Sequence, residues 1–343
     1  MDHSSAARGA TPVYLLTGFL GSGKTTLLRA LLRQPAMAST AVVINEFGEI
    51  GLDHELVEAV DGETVLLPGG CMCCTVRDDL ARTLADLDRR RAQGEVPPFE
   101  RVIIESTGLA DPGPVLQVLL KHGDLLERFA LGGVWTTLDA VHAQSQLDAH
   151  VESVRQLALA DCVVMTKTDL APFTAPASLA ARVRKINPHA RMLHVCEGAV
   201  DAAELLAQTP SAASGDEPEA MLRGLCQAGP TGHVCGAGCG PHAHAHDGRF
   251  RTSSLRFDRP LEWDEVCDWL GGLAFFHGAR LLRMKGILNV AGEDRPLAVH
   301  GVQHLFHPPT PMERWPDDDR SSRLVFITDG LDEQALRPPF STA

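Results

Sequence analysis

The sequence contains no run of about 18 consecutive apolar residues, so no segment is predicted to span a membrane. The N-terminal segment 1–12, MDHSSAARGATP, lacks the apolar stretch of a secretory signal. Basic residues are in deficit, with 31 Lys and Arg against 44 Asp and Glu, and the net charge of −13 argues against broad electrostatic binding to nucleic-acid phosphates. We therefore expect a cytoplasmic protein with neither nucleic acid nor a membrane as partner.

Nine cysteines are distributed along the chain. Thiols stay reduced in the cytoplasm, so metal binding or catalysis is expected before disulfide bonds. Three of these cysteines, Cys71, Cys73 and Cys74, fall within the segment LPGGCMCCTV (67–76). Thiols this close together are a candidate metal or redox motif.

The 343 residues are enough for about two domains. In the segment 11–207, apolar runs rich in β-branched residues alternate with helical patterns, which predicts an α/β fold with a mostly parallel sheet. Residues 208–248 are rich in Gly, Ala, Pro, Ser and His, which predicts a linker. The patterns beyond it predict a smaller α+β C-terminal domain. The predicted domains are therefore 1–207, 208–248 and 249–343.

The apolar and helical runs also predict where the individual elements lie. The predicted strands are 11–18, 41–45, 64–67, 101–105, 131–139, 161–166, 191–195, 249–257, 279–290, 295–306 and 321–328. The predicted helices are 24–32, 75–92, 149–160 and 260–273.

The segment GFLGSGKT (18–25) fits the phosphate-binding pattern G-x-x-x-x-G-K-[ST] and lies between a predicted strand and a predicted helix. In such a loop the backbone N–H groups surround the phosphates, Lys24 neutralises the β- and γ-phosphates, and Thr25 offers its hydroxyl to Mg²⁺. The first domain is therefore predicted to be a P-loop NTPase. The predicted nucleotide-binding residues of the loop are Gly18, Gly21, Ser22, Gly23, Lys24, Thr25 and Thr26.

The segment TKTD (166–169) resembles the guanine-recognition motif N-K-x-D. Asp169 can accept two hydrogen bonds from guanine, whereas adenine offers neither donor. The stem of Lys167 can lie along the plane of the base. Thr166 replaces the usual asparagine and keeps only one hydroxyl, which predicts a looser preference for GTP. An aspartate that caps the next helix is the alternative interpretation of Asp169.

The segment RVIIESTG (101–108) places Glu105 at the end of a buried strand, where a carboxylate is costly unless it meets a cation or hydrogen-bond donors. Glu105 is predicted to hold a Mg²⁺-bound water or to position the attacking water. Gly108 would let its backbone N–H approach the γ-phosphate. The predicted catalytic residues are Lys24, Glu105 and Glu46.

The three clustered cysteines are expected beyond the carboxyl end of a strand, at the sheet edge that carries the phosphate loop. Thiolates are soft ligands suited to Zn²⁺ or Cu(I), and a tetrahedral site needs a further group. Carboxylates of NEFGEIGLD (45–53) are the candidates for it. A redox pair or inert buried thiols are the alternatives. The predicted metal ligands are Cys71, Cys73, Cys74, Glu46 and Glu49, with Asp53 next in order.

A second cluster of potential ligands is HVCGAGCGPHAHAH (233–246). In an extended chain, His242, His244 and His246 project to one side. Imidazole and thiolate ligands together suit Zn²⁺, Ni²⁺ or Co²⁺, which predicts a flexible segment for weak metal capture. The alternative is a solvated linker that is merely rich in histidine.

Taken together, GFLGSGKTT, NEFGEIG, GGCMCC, ESTGLADP and TKTD resemble the CobW family of P-loop GTPases, and the C-terminal LLRMKGILNV, VHGVQHLF and WPDDDRSSRLVFI resemble its second domain. The resemblance implies a metallochaperone that hydrolyses GTP with Mg²⁺, binds Zn²⁺ or Co²⁺ at the C-x-C-C motif and delivers it to a client metalloenzyme. It also implies a possible GTP-dependent homodimer. A zinc buffer with little coupling to GTP and a small-molecule kinase are the competing interpretations.

Overall fold

The structure is a computed structural model that describes residues 10–45, 65–68, 76–121, 125, 127–195, 199–208, 249–306 and 309–342. The described residues form two compact units. The first contains the described residues within Met1–Asp139, Asp161–Asp169 and Met192–Glu217. The second contains the described residues within Ala140–Ala160, Leu170–Arg191 and Pro218–Ala343. Except for Gln208, the predicted linker 208–248 lies outside the described residues.

The first sheet has the strand order β3-β2-β4-β1-β5-β6-β7. The pairs β2–β3, β2–β4, β1–β4, β1–β5 and β5–β6 are parallel, which confirms the predicted α/β class. The strands are β1 Thr11–Gly18, β2 Thr40–Asn45, β3 Val65–Pro68, β4 Arg101–Ser106, β5 Phe129–Asp139, β6 Cys162–Thr166 and β7 Arg191–His194.

The helices up to residue 208 connect these strands, as a parallel sheet requires. The predicted helix 149–160 is shorter in the structure, where it covers Val151–Leu159. A separate helix, Ala143–Ala149, precedes it, because His150 between the two is extended with φ −126° and ψ 114°. The helices are α1 Lys24–Leu32, α2 Val76–Ala92, α3 Pro112–Lys121, α4 Ala143–Ala149, α5 Val151–Leu159, α6 Ala175–Ile186 and α7 Ala202–Gln208. A short 3₁₀ turn covers Pro35–Met37.

The core of the first unit lies on both faces of its sheet, which explains why its strands read as continuous apolar runs. Leu27, Leu28 and Leu31 share one face of α1 and are fully buried there. Tyr14, the only tyrosine of the chain, stacks on Trp135 with ring centroids 4.6 Å apart. The aromatic pair therefore packs β1 against β5 above the sheet.

The second unit contains an antiparallel sheet of order β11-β10-β9-β13-β8, with β12 paired to β10, which confirms the predicted α+β C-terminal domain. Its elements are β8 Phe250–Phe257, α8 Trp263–His277, β9 Leu281–Leu288, β10 Leu297–Val302, β11 Leu305–Phe306, β12 Thr310–Pro311, β13 Ser322–Asp329, α9 Glu333–Leu336 and a 3₁₀ turn Pro339–Thr342. Across the described ranges, every helix is too short or too polar to cross a membrane.

Two predicted elements of this unit differ from the observed ones. The predicted strand 295–306 is a hairpin of β10 and β11, because the chain reverses at Gln303 with φ +54°. The predicted helix 260–273 begins only at Trp263. Leu261 is bound elsewhere, since its N–H donates to Asn289 O and its carbonyl accepts from Ala291 N.

Helices α5 and α6 belong to the second unit and hydrogen-bond to its antiparallel sheet. The buried guanidinium of Arg283 donates to the carbonyl of Leu159, the last residue of α5. Thr252 Oγ1 donates to Ile186 O at the end of α6, at 3.1 Å. Arg155 of α5 also pairs with the buried Asp329 of β13, at 3.5 Å.

The ends of α5 and α6 are joined by one buried side chain, Asn187, which is 1% exposed. Its amide nitrogen donates to three carbonyls at the end of α5, and its oxygen accepts from two N–H groups that follow α6. These partners are Leu157 O at 3.0 Å, Ala158 O at 3.2 Å, Ala160 O at 2.9 Å, His189 N at 3.2 Å and Ala190 N at 3.1 Å. Asn187 thus satisfies polar backbone groups that lie away from water.

We expect Asn187→Ala to lower the free energy of unfolding by about 2–4 kcal/mol, because buried backbone groups lose their partners. Urea-induced unfolding would measure the change. The matched control is Asn289→Ala, which removes a half-exposed amide whose nitrogen donates to Arg320 O at 2.8 Å, and which should cost less than about 1 kcal/mol. Equal losses in the two variants would contradict this account of Asn187.

Candidate nucleotide site

The loop between β1 and α1 contains glycines in backbone conformations that side chains rarely adopt. Gly18 has φ +143°, Gly21 has φ +70° and Gly23 has φ +90°. At Gly18 a Cβ would also lie 2.2 Å from Thr137 Oγ1 and 2.5 Å from Thr137 O. Only glycine fits at this position, because the first residue of the loop lies in close contact with Thr137 of β5.

The hydroxyl of Thr137 anchors both ends of this loop. It donates to Thr17 O at 3.3 Å, at the end of β1. Its oxygen lies 2.6 Å from Ser22 Oγ. The two hydroxyls are hydrogen-bonded to each other, and either oxygen can be the donor. Ser22 is buried, so its side chain stabilises the loop through Thr137.

Helix α1 begins after Gly23, which has no side chain that could cap the N–H groups of the first turn. Uncapped N–H groups and the positive end of the helix dipole form a ready anion site. Lys24 Nζ lies at the same place and donates to Gly18 O at 3.0 Å and Phe19 O at 3.3 Å. Thr26 is exposed on the first turn. This arrangement has the shape and charge to receive phosphate groups.

Thr25 and Glu105 meet across the sheet edge. The hydroxyl of Thr25 donates to Glu105 Oε1 at 2.8 Å, and Glu105 is only 6% exposed at the end of β4. Next to it, Ser106 Oγ donates to Thr17 Oγ1 at 2.9 Å. Carboxylate and hydroxyl oxygens are the donors that Mg²⁺ prefers, so the pair fits that ion.

Gly108 lies against the phosphate loop. A Cβ on Gly108 would fall 2.7 Å from both the nitrogen and the Cα of Leu20. The backbone that follows β4 therefore reaches the loop in a way that only glycine permits.

The TKTD segment also contacts the phosphate loop. Thr166, which replaces the usual asparagine of the motif, donates from its Oγ1 to Ser22 O at 2.7 Å. The threonine hydroxyl therefore binds the phosphate loop. Lys167 Nζ donates to Gly21 O at 2.8 Å. Asp169 is exposed at the end of the segment. The ammonium of Lys167, predicted only to lie along the base, is thus bound to the loop as well.

Sequence reasoning assigned no role to Asp139, the last residue of β5. Its carboxylate is 2% exposed and pairs with Lys167 Nζ at 2.7 Å. The available signal was its position, because a charged residue that ends a buried parallel strand faces the ligand edge of the sheet.

The predicted metal ligands cannot be placed in this geometry. Within the part of the chain that the structure describes, there is no group of three or more His, Cys, Asp and Glu side chains arranged to hold a metal ion. The predicted residues outside the described part are Cys71, Cys73, Cys74, Glu46, Glu49, Asp53, His233, Cys235, Cys239, His242, His244 and His246.

Comparison with known protein families finds two matches along the chain. Residues 12–194 match the family described as "CobW/HypB/UreG, nucleotide-binding domain", and residues 250–343 match "Cobalamin synthesis protein cobW C-terminal domain". The chain belongs to the CobW family. The fold and the glycine-rich loop of this CobW protein are therefore those of a nucleotide-binding domain.

Relatives resemble this CobW protein over most of its length. It is 34% identical to the zinc chaperone YjiA of Escherichia coli, over 96% of this chain and 97% of that one. It is 36% identical to the zinc-regulated GTPase metalloprotein activator 1 of Schizosaccharomyces pombe, over 59% of this chain and 49% of that one. The crystal structure of Zn(II)-bound YjiA GTPase from E. coli superposes with a TM-score of 0.70 at 29% identity, covering 97% of this chain and 98% of that one.

We expect Gly108→Ala to weaken nucleotide binding about tenfold or more, because the added methyl group displaces the backbone of Leu20 in the phosphate loop. Titration with fluorescent GDP would measure it. The control is Gly271→Ala on α8, where a Cβ meets nothing within 4 Å and the helix should gain up to about 1 kcal/mol. Wild-type affinity in Gly108→Ala would show that the loop has room to move.

Proposed function

We propose that this CobW-family GTPase binds Zn²⁺ at Cys71, Cys73 and Cys74 in a nucleotide-dependent way and delivers it to a client metalloprotein. The observation that carries the nucleotide half is the meeting of Lys24, Thr25 and Glu105 at one sheet edge. The names of the relatives support zinc as the cargo. Thiolate and carboxylate ligands also accept Co²⁺, which the proposal ranks second.

The parallel direction of the strands supports a site in which nucleotide and metal lie at the same edge of the sheet, with β3 three strands away from β1. β3 ends at Pro68 and runs parallel to β2, so its carboxyl end lies at the same edge as the phosphate loop. Cys71 follows Pro68 by three residues, a chain length that reaches at most about 11 Å. The metal motif is therefore tethered to the edge where the nucleotide is proposed to bind.

In the proposed reaction, different described residues bind the phosphates, the base and Mg²⁺. The ammonium of Lys24 gives up its contacts with loop carbonyls and neutralises the phosphates, and Asp169 accepts hydrogen bonds from guanine. Thr25 and Glu105 supply oxygen ligands for Mg²⁺, whose charge would offset that of the phosphates when it is bound. In this proposal Glu105 also orients the attacking water.

In the proposed function, zinc delivery requires that the affinity for zinc depends on which nucleotide is bound. We propose that the γ-phosphate orders the NEFGE segment (45–49), so that Glu46 or Glu49 completes the zinc site. Hydrolysis removes those contacts and weakens the site. Linkage makes the effect reciprocal: if GTP tightens zinc binding, zinc tightens GTP binding by the same factor. A GTP-dependent homodimer would act on the same loops and is part of the proposal.

We expect a non-hydrolysable GTP analogue to tighten one zinc site relative to GDP, because only the triphosphate orders the carboxylate ligand. Competitive titration of Zn²⁺ and Co²⁺ into the reduced full-length protein would measure both affinities. The combined Cys71→Ser, Cys73→Ser and Cys74→Ser variant should lose the gain, and Lys24→Ala should lose its dependence on nucleotide.

Lys185→Ala is the matched lysine control, since it removes an exposed lysine from the last turn of α6. It should keep the coupling. If the native protein binds zinc equally tightly with GDP and with the GTP analogue, the chaperone cycle is excluded and a zinc buffer is favoured. Conversion of GTP to GDP with a phosphorylated acceptor, and without free phosphate, would favour a kinase instead.

A further inference from the structure

We infer that Asp139 is a positioning residue for nucleotide binding: it holds Lys167 against the carbonyl of Gly21, and so joins the base-recognition segment to the phosphate loop. The inference rests on the proposed placement of the nucleotide, with phosphates at the loop after β1 and the base at TKTD. It adds a residue that neither motif contains.

Asp139 lies between the two halves of the proposed site. β5 is flanked by β1 on one side and β6 on the other. In the parallel registers, Gly18 of β1 pairs with Thr137, and Asp139 pairs with Thr166 of β6. Neighbouring strands are about 4.8 Å apart, so a ligand that touches the ends of both β1 and β6 spans roughly 10 Å. Such a ligand must pass over the end of β5, where Asp139 is.

The charge pair explains why Lys167 is held at this point. Asp139 is 2% exposed and Lys167 is 35% exposed at its side chain. A carboxylate buried to that extent is stable only when it is paired and hydrogen-bonded. Lys167 Nζ meets this need at 2.7 Å and simultaneously donates to Gly21 O at 2.8 Å. The buried carboxylate therefore adds a second anchor to the ammonium that binds the carbonyl of Gly21.

The backbone of Lys167 gives an independent sign that it is held in place. Its φ is +57°, a left-handed conformation that is strained and uncommon for a residue with a side chain. The chain turns there and continues to Asp169, two residues further on. Releasing the side chain of Lys167 therefore relaxes the segment that presents Asp169.

Thr166 supplies the second connection, through its bond of 2.7 Å to Ser22 O. That bond does not involve Asp139. Removing the charge of Asp139 should therefore loosen the base segment without detaching it from the phosphate loop. The expected effect is a graded loss of affinity and of base selectivity while the loop stays folded.

The experiment compares Asp139→Asn, Lys167→Met and the double variant, in full-length protein, by titration with GDP, a GTP analogue and IDP. We expect each single variant to bind GDP and the GTP analogue about tenfold more weakly. The double variant should be no weaker than the worse single variant, because both changes remove one interaction. Inosine lacks the 2-amino group of guanine, so the preference for GDP over IDP should shrink in the variants.

The structural control is Asp161→Asn. Asp161 is also a buried carboxylate on this sheet, but it lies before β6, where its Oδ2 accepts from Val134 N at 3.0 Å. This control should lower the melting temperature and leave GDP affinity unchanged. Wild-type affinity in Asp139→Asn, fully additive losses, or an equal loss in Asp161→Asn would each overturn the inference.

Two further outcomes separate this inference from the proposed function. If Lys24→Ala abolishes GDP binding while the Asp139 and Lys167 variants bind normally, only the inference fails. If Lys24→Ala leaves GDP binding intact, the proposed nucleotide site itself fails. Should Asp139→Asn not fold, Lys167→Met still decides, because wild-type affinity in that variant would contradict the inference.

Discussion

The nucleotide site depends on one steric constraint, which is the close approach of β1 and β5 at Gly18. A Cβ there would lie 2.2 Å from Thr137 Oγ1, so β1 must end in glycine. The chain can then turn with φ +143° and fold back until Ser22 reaches the same threonine hydroxyl. The shape of the phosphate loop is thus fixed by contact with a strand residue that lies 115 positions further along the chain.

Local sequence patterns predicted the strand and the helix on either side of this loop. They failed to predict chain breaks that depend on the backbone conformation of a single ordinary residue. β1 and α1 were predicted at their observed bounds, because a buried strand, a glycine-rich loop and a helix follow one another directly. The break at His150 and the reversal at Gln303 carry neither glycine nor proline. Nothing in the periodicity separates a helix from two shorter ones, or a strand from a tight hairpin, when the turning residue is an ordinary one.

The candidate site was predictable to the extent that motifs follow parallel strands, whose carboxyl ends share one edge. The rule was applied to the cysteine motif, and it also accounts for the proximity of Lys24, Glu105 and the TKTD segment, which lie at or just after the ends of parallel strands. The contacts of Thr166 with Ser22 and of Asp139 with Lys167 depend instead on the registers of β5 with its neighbours, which a single sequence does not reveal. The roles assigned to individual site residues and the domain boundaries at 207 and 249 stay predictions.

Helices α5 and α6 precede most of the sheet with which they form a compact unit, and this order has a consequence for biosynthesis. Arg283, which binds the carbonyl of Leu159, follows it by 124 residues. At about 5–20 residues per second, the ribosome needs roughly 6–25 s to add that stretch. During this interval the helices exist without their antiparallel sheet. A nascent chain that ends before residue 249 would therefore carry the two helices without the sheet residues to which they hydrogen-bond.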